Sequence, residues 1–229
     1  MSESRARKRA HGIILEQCPF CVYCGGSIRA TTVDHVPPIG MFRSRRRPKG
    51  LEFASCLSCN GGTRLADLVA ALLCRVYPDS NGANEKEELE RLLTSVNNNV
   101  PGLLQEMHIG RAGQKIARRR LPVSTDGGFL RTDGPLVSNH MQTFASKLGF
   151  AFYYELTHSI IPPSGGVVAR WFSNVDRLDG SFPQTIFDVL LPPQTLKQGR
   201  AFRTPMSCPE AWNGFGLRRE RRRQQAKRH

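Results

Sequence analysis

The sequence has no apolar run approaching the roughly 18 residues needed to cross a bilayer, which sets aside a membrane-spanning helix. Its early apolar stretch, Ile13 to Leu15, is far too short for the core of a secretory signal, so a cytoplasmic location with no membrane partner is expected. No repeat recurs at a fixed period, which excludes a solenoid or propeller. Aromatic residues make up only 8% of the chain, within an ordinary hydrophobic share of 39%. Acidic residues are the scarce charge: 19 Asp and Glu stand against 33 Lys and Arg, leaving a net charge of +14. A surplus of that size favours a polyanionic partner, nucleic acid first, because phosphate contacts release condensed counterions. The competing explanation is excess charge carried for solubility or to coat an anionic membrane, and charge by itself assigns no chemistry.

What is present concentrates in the first third. Of seven cysteines, four form two C-x-x-C pairs, Cys21 with Cys24 and Cys56 with Cys59. That pattern reads as metal binding in a reducing compartment and not as a disulfide framework. Four thiolates satisfy the tetrahedral preference of Zn2+ and leave no open position, so the expected zinc is structural. Cys18 offers a competing pair in CPFC. Cys21 and Cys24 are preferred because Gly25 follows them and accepts the left-handed backbone that a metal knuckle needs. Cys74 is expected to be a core thiol, and Cys208 has no partner motif.

Between the pairs lies Asp34-His35-Val36-Pro37-Pro38. Neighbours on a strand point to opposite sides, so a carboxylate and an imidazole here can approach a phosphate from two directions. A hard cation such as Mg2+ takes oxygen ligands, which Asp34 and the amide of Asn60 can offer. Arg43, Arg45, Arg46, Arg47 and Lys49 fall in the loop before the second pair and are candidates for contact with a nucleic-acid backbone, with Arg64 a further one. Arg111, Lys115 and Arg118 to Arg120 form another basic patch.

The segments CVYCG, DHVPP and CLSCN together resemble the HNH nucleases of the ββα-metal fold, in the form whose zinc knuckles bracket the active site. The resemblance covers about 50 residues, from Cys21 to roughly Leu72. It implies a β-hairpin carrying Asp34 and His35, and a helix delivering Asn60. It also implies His35 as general base, Asp34 and Asn60 as ligands of a catalytic Mg2+ or Mn2+, and the four cysteines on structural Zn2+. The asparagine that would orient the base has no obvious counterpart, because position 50 is Gly.

The expected fold class is α+β: an N-terminal zinc-stabilised ββα-metal lobe followed by a mixed α/β C-terminal lobe. The expected division is a basic N-terminal segment over 1–17, the zinc-knuckle lobe over 18–78, the C-terminal lobe over 79–217 and a basic tail over 218–229. Helices are predicted from Thr63 to Pro78, with Leu65, Leu68, Val69, Leu72, Leu73 and Val76 inward; over NEKEELERLLTSV, broken by NNNVPG; and from Ser138, capped by its own hydroxyl. VVARWFS and TIFDVLL have the composition of strands.

The expected function is a metal-dependent endonuclease acting on nucleic acid, DNA ahead of RNA. Antiviral defence or a mobile-element setting follows from the resemblance alone. The rival is a zinc-dependent nucleic-acid-binding or regulatory protein without catalysis. A further rival reading makes the N-terminal lobe an effector held by a protein partner docking on the C-terminal lobe.

Overall fold

Helices and a small sheet share the computed structural model, which describes residues 3–42, 51–76, 83–120 and 129–172. α1 (Glu3–Gln17) leads into a knuckle and then the hairpin strands β1 (Thr32–His35) and β2 (Glu52–Ser55). α2 (Leu57–Gly62), α3 (Arg64–Arg75), α4 (Ala83–Asn99), α5 (Leu103–Met107), α6 (Arg111–Arg120) and α7 (Pro135–Thr157) follow. The mixture agrees with the α+β expectation. No described helix is long and apolar enough to cross a membrane.

β1 and β2 pair antiparallel, with Thr32 opposite Ser55, Val33 opposite Ala54, Asp34 opposite Phe53 and His35 opposite Glu52. Two strands alone are marginal in water and need a partner to cover one face. α7 supplies it: Phe53 and Val36 are buried with Val22 and Ala151, and Leu148, Tyr154 and Ile160 pack around them. Burying a phenylalanine as completely as Phe53 contributes about 1.5–3 kcal/mol. α1 closes a second side, where Ile14 and Leu15 pack on Cys18, Ala30 and Ala54.

The helix predicted from Thr63 is α3, but its buried face is rotated toward small residues. Val69 and Leu72 are buried as expected, together with Ala66, Ala70 and Ala71, whereas Leu65, Leu68, Leu73 and Val76 are only half-buried. Ala66 and Ala70 meet Phe144 of α7, and their short side chains let the two helices approach closely. Cys74 lies exposed on α3, which corrects its expected place in the core.

α4 continues through the asparagines to Asn99. α7 begins three residues before Ser138, and its first turn is capped from a distance: Leu136 and Val137 donate their backbone N–H groups to the two carboxylate oxygens of Glu106, at 3.0 and 2.9 Å. A carboxylate there also meets the positive end of the helix dipole. The signal for this cap lies 30 residues upstream, beyond any local window.

Residues 1–17, expected as a basic segment, are largely the helix α1. α3 and α7 lie on opposite sides of the boundary expected at 78, yet they pack together inside one compact unit, Met1–Pro163. A second unit begins at Ser164, and its described residues 164–172 include the first six of VVARWFS without a strand. TIFDVLL and the basic tail lie outside the described residues.

Candidate functional site

The cysteine knuckle is built by backbone geometry. Cys21 donates its N–H to Ile28 at 2.9 Å, and Gly26 and Ser27 donate back to Cys21 and Cys24 at 3.1 and 3.3 Å, a tight loop that aims two thiols the same way. Gly25 and Gly26 hold φ +69 and +74, the left-handed region that L residues other than Asn and Asp rarely enter. The second pair sits on a helix start. Cys56 caps α2, its Sγ accepting the N–H of Cys59 at 3.4 Å.

The Sγ atoms of Cys21, Cys24, Cys56 and Cys59 lie within 4.8 Å of one another. Tetrahedral Zn2+ with Zn–S near 2.3 Å needs sulfurs about 3.8 Å apart, so these residues fit a structural zinc. Cys18 stays out of the group, its thiol directed to the Phe20 carbonyl at 3.3 Å.

The electrostatics point the same way. Burial alone would raise the Cys21 thiol, but backbone groups of Cys56, Tyr23 and Cys24 stabilise its thiolate and bring it down to about 7. Cys24 and Cys59 are pushed up, by burial first and then by neighbouring thiols that resist further negative charge. Four thiolates in this space would need a divalent cation to coexist.

Beyond the knuckle, the alternation of β1 sends consecutive side chains to unlike surroundings. Asp34 is buried. Its Oδ1 accepts the N–H of His35 at 2.8 Å, and its Oδ2 lies 2.9 Å from Nζ of Lys147, itself buried on α7. Lys147 also donates to Asp67 of α3 at 2.7 Å, so one ammonium bridges two carboxylates. Burial raises Asp67 above the usual carboxylate range, against the opposing pull of Lys147. The phenol of Tyr23 is raised as well, by burial and then by Asp34, so it stays neutral.

Asn60, on α2, donates its side-chain amide to Oγ1 of Thr32 at 3.1 Å, two residues before Asp34 on the same face of β1. The expected Mg2+ or Mn2+ on Asp34 and Asn60 does not fit this arrangement. Both Asp34 oxygens are engaged, and a divalent cation would sit against the Lys147 ammonium in a site of low dielectric.

His35, at the half-exposed end of β1, turns the other way. Its Nδ1 lies 3.2 Å from Oε1 of Glu52, its partner across the hairpin, an ion-pair approach without hydrogen-bond alignment. The His11 ring of α1 lies 5.7 Å from that of His35, centroid to centroid, tilted by 56°. Donor atoms of His11, His35 and Glu52 fall within 4.8 Å of one another.

Arg64 is exposed at the start of α3, and Arg111, Lys115, Arg118 and Arg119 are exposed on α6. Arg43, Arg45, Arg46, Arg47 and Lys49 lie outside the described residues.

Sequence reasoning thus missed Lys147, Asp67, Glu52 and His11. Lys147 carried a readable signal: it lies three residues after Phe144 and four before Ala151, on the apolar stripe of its helix, where an ammonium requires a buried anion. Glu52 becomes visible only once the hairpin register is known. No family model, no curated protein and no solved structure matches this chain.

Proposed function

We propose that this chain is an HNH-type nuclease whose zinc-braced hairpin presents His35 as the general base for hydrolysis of phosphodiester bonds in nucleic acid, DNA ahead of RNA. The observation that carries the reading is the His35–Glu52 pair at the end of a strand tied to the four-cysteine group. In this reading Glu52 faces Nδ1 and favours the tautomer in which Nε2 carries the lone pair that accepts a proton from water. The same carboxylate stabilises the imidazolium that forms. Contacts of this kind are often loose without substrate and tighten in the reactive complex.

Mg2+ or Mn2+ remains part of the reading as the cation implied by the resemblance to this nuclease class. No step is drawn through Asp34, because Lys147 holds its carboxylate. The net charge of +14 supports a polyanionic substrate, and exposed Arg64 offers a phosphate contact close to the knuckle. A role in defence against foreign DNA or in a mobile element rests on the resemblance alone.

One observation favours the rival: a carboxylate neutralised by a buried lysine suits a lobe that binds nucleic acid without cutting it. Cleavage of supercoiled plasmid and single-stranded DNA, with and without Mg2+ or Mn2+, separates the two. Loss of a general base costs about 100-fold to 10,000-fold, so His35→Ala should abolish metal-supported nicking while zinc content stays at one equivalent. Glu52→Gln should lower the rate less and move its pH profile. Equal inactivity of wild type and His35→Ala, with salt-sensitive DNA binding retained in both, would establish the non-catalytic reading.

A further inference from the structure

We infer that His11, His35 and Glu52 form a second metal site, which takes a borderline divalent transition ion such as Zn2+, Co2+ or Ni2+. The three residues come from three elements, α1, β1 and β2, and their donor atoms converge within 4.8 Å. Ligand atoms about 3.3 Å apart are what a tetrahedral ion with bonds near 2.0–2.1 Å requires. Nδ1 of His35 and Oε1 of Glu52 already stand 3.2 Å apart.

The set fits its ion chemically. Imidazole nitrogens select transition ions over Mg2+ or Ca2+, and one carboxylate balances part of the charge. The three ligands found among the described residues leave at least one position for water or a substrate oxygen, unlike the saturated thiol group nearby. A second observation points to a ligand here: Nε2 of His11 is buried with no hydrogen-bond partner among the described residues. An unsatisfied buried nitrogen is costly, and coordination by His11, or a hydrogen bond from its second nitrogen to bound water, removes that penalty.

The site does not depend on the nuclease reading, but it has a consequence for it. An ion coordinated by His35 removes a lone pair that a general base needs, so metal occupancy and base catalysis exclude each other. The bound ion is an inhibitor of the proposed reaction.

The test uses the full chain carrying one equivalent of zinc, titrated with Co2+ and followed by equilibrium dialysis, elemental analysis and visible absorption. A second equivalent is expected, with weak ligand-field bands and no thiolate-to-cobalt charge transfer. His11→Ala and Glu52→Gln should each weaken it at least tenfold while keeping the first zinc equivalent and the wild-type circular dichroism, which shows that both variants fold. The inference is overturned if wild type takes up no second equivalent, if that equivalent carries thiolate bands, or if both variants retain it. Binding is read without any cleavage assay, so failure of the nuclease reading leaves this result unaffected. Where cleavage is observed, His11→Ala should escape inhibition by added Zn2+.

Discussion

Two clusters of polar side chains flank the same hairpin, and they behave oppositely. Around Cys21 and Cys56 the donors are soft, largely buried and sufficient in number to saturate an ion. Around His35 the donors are nitrogen and oxygen, each residue is half-exposed, and the described residues leave the group one or more ligands short of a closed shell. A complete shell suits a brace and an incomplete one suits chemistry. A third group, Asp34–Lys147–Asp67, resembles neither, because there a side-chain ammonium takes the place that a metal would hold.

The comparison is broken most severely by removing zinc. Chelation, or Cys56→Ser, should unfold the hairpin and its knuckle, since apparent binding energies of about 10–16 kcal/mol are typical of structural zinc in small modules. Loss of near-ultraviolet circular dichroism that returns on adding Zn2+ would show it. A fold unchanged by chelation would mean that the four thiols are not a brace.

Next in size is Lys147→Ala. Removing one partner of a buried pair costs about 3–5 kcal/mol, because the carboxylates are left without compensation. The half-exposed His35–Glu52 pair is expected to matter less: Glu52→Gln should change stability by about 1 kcal/mol. Urea denaturation of the two variants, side by side, measures the contrast. Gly25→Ala should follow, losing about 1–2 kcal/mol from the left-handed backbone alone. Its new Cβ would also meet the backbone nitrogen of Pro163 at 2.7 Å, so a weaker zinc affinity is expected with the lower melting temperature.

The smallest effect is a slope. Burial raises Asp67 in the folded state, so the proton it binds there contributes stability fully present below the ordinary carboxylate range and lost as pH rises through the raised value. Asp67→Asn lacks this group. Its stability should therefore decline less than that of wild type as pH is raised from about 4. Parallel pH profiles for the two proteins would remove Asp67 as the source.

The legible parts of this molecule were those written in local patterns. Cys21, Cys24, Cys56 and Cys59 could be read because pair spacing and Gly25 are short-range features, and α3, α4 and α7 because periodic leucines and phenylalanines mark them. The cap of α7 by Glu106 was not readable, since no local rule connects residues 30 apart. His11 escaped for the same reason: a lone histidine on a charged helix shows nothing until α1 is laid beside β1. Asp34 was misjudged in a more instructive way. An Asp-His pair on a strand was read as two groups aimed at one phosphate, whereas the alternation that separates them delivers the carboxylate to Lys147 in the core. The signal that would have corrected it was a lysine on an apolar helix stripe.

The pairing of Asp34 with Phe53 and of His35 with Glu52 makes the chemistry of this hairpin a matter of parity. One residue inserted or deleted between Thr31 and His35 would exchange the two sides of β1, presenting an imidazole to the buried ammonium and a carboxylate to the outer cluster. Related chains are therefore expected to keep the count of residues in β1 fixed.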